Sequence, residues 1–96
     1  MKNKFTKKRQ RKVNKAVKLM NQNLQNDPIW KGRFQVTQIK RYWEKFPDNS
    51  GGIFSVLLKI KDEKTNIEEL FWLNYSFFFQ YDLWRKVNDF ACKFYH

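Results

Sequence analysis

The chain reads as an α+β protein of order helix, three antiparallel strands, helix (α-β-β-β-α), on three observations. Apolar residues recur at a helical period from Val13 to Leu24. They alternate with polar ones from Phe54 to Lys61, and they return to a helical period from Leu83 to Phe94. Two helices packed on one face of a three-stranded sheet would make a two-layer sandwich.

The first helix is expected from about Lys7 to Asn26, a segment without Gly or Pro. Val13, Val17, Met20 and Leu24 fall at i, i+4, i+7 and i+11, within a sector of roughly 60°, whereas Lys8, Arg11, Lys12, Lys15 and Lys18 fill about 120° on the opposite side. One helix thus carries a core face and a cationic face, with Leu19 projecting among the cations. Pro28 disfavours the α conformation at Asp27 and stops the helix near Asn26. Asp27 and Pro28 then suit the cap and first position of a short turn through Ile29 and Trp30, ended by Gly32.

From Arg33 the pattern becomes extended. Phe34 and Val36 alternate with Arg33, Gln35 and Thr37, but Ile39, Arg41 and Trp43 fall in the other phase, which predicts a bulge near Gln38. Pro47 to Gly52 is a loop. Phe54, Val56, Leu58 and Ile60 then alternate with Ser55, Leu57, Lys59 and Lys61 in a second strand. Asp62 to Asn66 reads as a polar turn, with the carboxylate pairs Asp62/Glu63 and Glu68/Glu69 solvated around it. A third strand from about Ile67 to Tyr75 completes a meander. The last helix buries Leu83, Val87, Phe90, Ala91 and Phe94, and either Ser76 or Asp82 suits its cap.

Charge is unevenly spread over this frame. The net charge is +11, and residues 1 to 26 hold nine basic side chains and no acid, so the remaining seventy carry only +2. That asymmetry marks a basic N-terminal arm, residues 1–12, on a single α+β domain, residues 13–96. Lys outnumbers Arg fifteen to five, as an A/T-rich coding bias would also produce. Such a bias scatters charge, however, and would not clear acids from one segment.

Several classes of function find no support. No apolar run approaches the ~18 residues of a membrane span, and no apolar stretch of about 7 to 15 residues follows the basic start, so nothing reads as a secretory signal. The helix also lacks the broad aromatic face that membrane insertion uses. Cys92 alone can form no internal disulfide, which fits a reducing, intracellular setting; beside Ala91 it reads as a small core or boundary residue. The one histidine, His96, is terminal, and a zinc site needs more Cys and His than these. Ser50-Gly51-Gly52 leads into a strand and not a helix, so it is no phosphate loop. No cofactor, metal or catalytic set is expected, and the chain reads as a non-enzyme.

Basic residues on one helix face neutralise phosphates, which gives affinity without sequence choice. Lys7, Lys8, Arg9, Arg11, Lys12, Lys15 and Lys18 are the expected nucleic-acid contacts, with Arg33, Arg41 and Lys59 extending the surface. Rings beside cations can stack on unpaired bases, and Tyr42, Trp43, Phe71 and Trp72 are the candidates. Strand alternation sends one member of each neighbouring pair outward; Trp43 and either Phe71 or Trp72 are the ones selected, although small domains also fill cores with rings. The run Lys7 to Lys12 (KKRQRK) is also similar to a nuclear-import signal. The expected function is a nucleic-acid-binding accessory protein on DNA or RNA. The alternative is a protein-interaction module whose arm steers it to an acidic partner.

Two resemblances concern topology. The element order over residues 13 to 96 resembles the double-stranded RNA-binding domain, a family that grips phosphates with lysines at the start of its last helix. Here Ser76 to Leu83 (SFFFQYDL) has no cation, so the family's binding mode does not carry over. The sheet with a final helix is also similar to the arm-binding domains of phage integrases, with no diagnostic residue to transfer. At the level of sequence, LMNQNLQNDPIWKGRF (Leu19 to Phe34), DNSGG (Asp48 to Gly52) and LWRKVNDF (Leu83 to Phe90) resemble small uncharacterised bacteriophage proteins, of the kind carried by tailless single-stranded DNA phages. That resemblance implies a phage context, the cytoplasm of a bacterial host, and for the alternative reading an acidic host protein as partner. It assigns no activity.

Overall fold

Elements follow in the order α1 (Lys4–Asn26), β1 (Phe34–Lys45), β2 (Gly52–Asp62), β3 (Glu68–Asn74) and α2 (Phe79–Cys92). This computed structural model describes residues 4–94, with side chains from residue 7; Lys2 and His96 lie outside the described residues. The strands form one antiparallel sheet of order β1-β2-β3, and both helices cover the same face of it. An α-β-β-β-α fold of mixed α+β class is therefore what the periodicities encode.

The core is assembled from the expected stripes. Val13, Ala16, Val17, Met20 and Leu24 of α1 meet Phe34 and Val36 of β1, Phe54, Val56, Leu58 and Ile60 of β2, Leu73 of β3, and Phe79, Leu83, Val87, Phe90 and Ala91 of α2. Seventeen buried apolar side chains, each removing apolar area from water at about 25 cal/mol per Å², supply the main driving force. Cys92 does not join them. It is exposed, because a further helical step of about 100° past Ala91 turns it away from the sheet.

After Asn26 the chain reverses in a turn that the sequence spells out. The Asp27 carboxylate accepts hydrogen bonds from the amides of Ile29 (2.8 Å) and Trp30 (3.0 Å), as a cap does. The Gly32 amide returns to the Leu24 carbonyl at 2.9 Å. Lys31 and Gly32 are both left-handed, with φ of 43° and 78°, a pair of conformations that glycine relieves at the second position.

Register shifts between Gln38 and Lys40, so Ile39 is the extra residue of a β-bulge. Phe34, Val36 and Gln38 face the helices before it, Arg41 and Trp43 after it. Gly52 opens β2 where a Cβ would strike the Glu44 carbonyl and the Trp43 indole, so the close approach of the two strands there requires glycine. The free edge of β1 is held by a side chain: Asn21 Nδ2 donates to the Val36 carbonyl (2.9 Å) while Val36 N–H donates to Asn21 Oδ1 (2.8 Å). One amide side chain thus pairs both backbone groups of an edge residue, as a neighbouring strand would.

Two expectations are corrected here. Neither Ser76 nor Asp82 caps α2. The cap position is Phe78, which makes no side-chain cap hydrogen bond, and Ser76 Oγ instead accepts from the Phe78 amide at 3.1 Å in the preceding turn. Asp82 sits inside the first turn of α2, where a negative charge still complements the helix dipole.

The larger correction concerns Asp62, which is not part of a solvated turn. It is 0% exposed and takes Arg33 Nε at 2.7 Å and Nη2 at 2.9 Å. It also accepts from Thr65 Oγ1 at 2.6 Å and the Lys64 amide at 3.1 Å. The Arg33 hydrogen bonds hold its carboxyl well below the usual carboxylate range. Burial opposes that lowering, and the Thr65 and Lys64 donors add to it.

A carboxylate depressed in the folded state contributes stability that is complete above its unfolded value of about 3.9 and is lost as pH falls toward the folded value. Asp62→Asn is therefore expected to lower stability at pH 7 by about 2–3 kcal/mol and to flatten its dependence on pH below about 4. Chemical denaturation across that range measures both. Asn21→Ala, which strips both partners from a half-buried backbone pair, should cost about 1–2 kcal/mol in the same assay.

Candidate nucleic-acid interface

Helix α1 turns its cations outward. Lys7, Lys8, Arg11, Lys12, Lys15 and Lys18 are exposed, and spacings of three and four residues stack Lys8, Arg11 or Lys12, Lys15 and Lys18 along one face. At about 1.5 Å per residue, Lys8 to Lys18 covers roughly 15 Å, or four to five base-pair steps of about 3.4 Å. The helix contains no acid. The ion pairs among the described residues, Arg33–Asp62, Lys59–Glu68 and Lys93–Glu69, lie elsewhere. Like charges one turn apart repel by a few tenths of a kcal/mol each, a cost that a polyanion would remove. Leu19 does project among these cations.

Two of the arginines assigned to the surface are used by the fold. Arg9 falls on the sheet-facing side of α1, four residues before Val13, and its guanidinium lies 5.8 Å from the Trp43 ring centroid and 5.3 Å from that of Tyr75. Burial lowers its pKa from the ordinary value, and the Tyr75 interaction works against that. Arg33 is committed to Asp62 and is enclosed by rings: Phe94 at 4.9 Å, Phe34 at 5.4 Å and Trp30 at 5.6 Å. With Nε and Nη2 given to a buried carboxylate and rings packed around the rest, this guanidinium serves the fold.

Trp43 is likewise corrected. Its register partner is Phe54, so it faces the helices, half-buried beneath Arg9 and packed on the core. Phe71, opposite Leu58, also faces inward. The outward members of the two pairs are Tyr42 and Trp72, which are 55% and 48% exposed. Alternation correctly separates each pair; the bulge at Ile39 decides which member of the first pair goes out.

No helix lies on the far face of the sheet. There Tyr42, Ser55 and Asn74 form one cross-strand row, and Lys40, Leu57 and Trp72 the next. Lys59 follows, between Thr37 and Leu70, with its ammonium 3.4 Å from Glu68. A groove of about 510 Å³ runs over the first two rows, lined by Lys40, Arg41, Tyr42, Glu44, Ile53, Ser55, Trp72 and Asn74. By register Arg41 belongs to the helix side. It borders the groove from its place in the chain between Lys40 and Tyr42.

A third surface went unassigned in the sequence. Phe77 is 94% exposed and stands edge-on to Phe78, and Tyr81 stacks with Trp84 at 6.1 Å on the outer side of α2. The signal for it was the run of three phenylalanines. Consecutive residues at a helix start point about 100° apart, so only Phe79 could enter the core.

Among the described residues no three His, Cys, Asp or Glu side chains gather as a metal site would require. No described helix is long and apolar enough to cross a membrane.

This division of labour has a thermal consequence. Arg33→Gln should lower the melting midpoint markedly, whereas Lys8→Gln or Lys15→Gln should leave it within about 2–4 °C or raise it, since most exposed changes stay within ±0.5 kcal/mol. Differential scanning calorimetry separates the two classes. No family model, no curated protein and no solved structure matches the chain.

Proposed function

We propose that the chain is a non-enzymatic nucleic-acid-binding accessory protein whose α1 takes the phosphate backbone. The observation that carries the reading is the outward face of α1: six exposed cations in about three turns, with no acid on the helix and no ion pair to any of them among the described residues. A solubilising surface would intersperse both signs. A face of one sign, held at fixed spacing by a helix, instead releases counterions when it meets a polyanion. Contacts of this kind position a protein on a duplex without reading its bases.

If about five phosphates are neutralised, log affinity for duplex DNA falls against log salt with a slope of about −4 to −5. Changing Lys8, Arg11, Lys12 and Lys15 to Gln should flatten that slope by about 3 to 4 and weaken binding to all sequences alike. Fluorescence anisotropy over a salt series measures both, and a flat slope in the parent protein sinks the reading.

The exposed ring cluster Phe77, Phe78, Tyr81 and Trp84 favours a second reading, a protein-interaction module that docks on an acidic partner. The two separate at purification. The first predicts a protein that carries nucleic acid, seen in its 260/280 nm absorbance ratio, until a high-salt wash; the second predicts no such component.

A further inference from the structure

The groove on the open face of the sheet is built differently from the cationic helix. Its floor is the small side chain of Ser55 beside Leu57, and its walls rise from the two outer strands, Tyr42 and Lys40 on β1, Trp72 and Asn74 on β3. Outer strands lie two spacings apart, about 10 Å, so rings standing on them leave a slot of the order of one further planar ring. At about 510 Å³ it is within the range of small-ligand sites.

Each wall has its own chemistry. The Lys40 ammonium sits over the Trp72 ring, 5.7 Å from its centroid, which shows that a face of the indole is turned across the sheet and is accessible to a planar or cationic group. Asn74 is pre-set: Ser55 Oγ donates to its Oδ1 at 2.7 Å. That bond fixes the amide and leaves Nδ2, with the second lone pair of Oδ1, without a partner among the described residues. A fixed amide offers a donor and an acceptor side by side, the complement of a base edge. Lys40 and Arg41 lie at one end and Glu44 at the other, so a phosphodiester backbone is drawn to the first end and kept from the second.

We infer that this groove binds an unpaired base of single-stranded nucleic acid, stacked on Trp72, with its edge on Asn74 and its phosphate on Lys40. The inference rests on the nucleic-acid reading and deepens it, because it adds single strands to a partner class that the cationic helix alone does not divide. A paired base cannot use the site: its faces are covered by neighbours and its Watson–Crick edge is occupied. On binding, Lys40 exchanges a weak exposed contact with the indole for a charge-assisted one with phosphate, and the base takes the vacated ring face.

The test compares labelled (dT)20, (rU)20 and a 20-base-pair DNA duplex by anisotropy, with folding of each variant checked by circular dichroism. Trp72→Ala should lower affinity for a single strand about ten-fold or more while changing duplex affinity less than about two-fold, and Trp72→Phe should restore most of the loss. Tyr42→Ala, on the edge strand, gives an independent measurement if Trp72→Ala unfolds the sheet. Single-strand affinity untouched by either ring variant, or an equal loss on duplex, overturns the inference. With a steep salt slope on duplex DNA retained, that result leaves the helix reading standing; absence of binding to all three probes removes both.

Discussion

The Arg33–Asp62 pair is the contact on which the geometry of this molecule depends. Burying a carboxylate costs several kcal/mol unless its lone pairs are met, and here Arg33, Thr65 and Lys64 meet them. The pair does more than neutralise itself. Arg33 stands immediately before Phe34, whose strand partner is Asp62, so the two charges pin the first rung of the β1–β2 ladder. The Glu63 amide donates to the Arg33 carbonyl at 2.8 Å and adds a backbone tie at the same place. Rings from the α1–β1 turn (Trp30), from β1 (Phe34) and from the chain after α2 (Phe94) close over the guanidinium. One ion pair thereby gathers the α1–β1 turn, the β2–β3 turn and the end of the last helix.

Everything exposed on β1 follows from that anchored rung and one irregularity. With Phe34 fixed inward, Val36 and Gln38 face the helices. An unbroken strand would continue with Lys40, Tyr42 and Glu44 inside, and would send Arg41 and Trp43 out. Ile39 inserts a residue and reverses the parity, because a one-residue slip flips every side chain that follows. Trp43 then becomes half-buried under Arg9, and Tyr42 and Lys40 reach the open face.

The elements were legible because each carries its own period. The stripe Val13, Val17, Met20 and Leu24, the alternation Phe54 to Lys61, the turn at Asp27–Gly32 and even the bulge beside Gln38 are local patterns, and local patterns survive in sequence. The uses of particular charges were not legible. The parity of β2, with Phe54, Val56, Leu58 and Ile60 inward, places Asp62 on the inward side as well, but the arginine that makes a carboxylate tolerable there stands twenty-nine positions away and leaves no local pattern. Arg9 belongs to a run of cations, and only its angular position, in line with Val13, separates it from Lys8 and Arg11. Cys92 and the Phe77–Phe78 step failed for a related reason. Composition names a residue as apolar, but a helix has only one side facing the sheet, and the boundary of that side falls where tertiary packing sets it.

The direction in which the cations point is set by the roll of α1, and polar contacts fix that roll as firmly as apolar ones. A hydrophobic stripe alone tolerates a helix turned by tens of degrees, since apolar contact is not directional. Asn21 and Asn14 remove that freedom on the β1 side, the first clamped on Val36 and the second accepting from Gln38 Nε2 at 2.6 Å. On the α2 side Gln80 reaches the Ala16 carbonyl at 3.4 Å, and near the N-terminal end Arg9 is seated on two rings. These contacts flank the buried stripe, Asn14 and Asn21 on one side and Ala16 and Arg9 on the other, and leave the opposite face to Arg11, Lys15 and Lys18. Their orientation is therefore a property of the fold, held by side chains on other faces, three of them neutral and the fourth, Arg9, withdrawn from the row. The repulsion among them depends on their spacing along one helix, which no roll of α1 changes, so the fold presents the whole row on its solvent side.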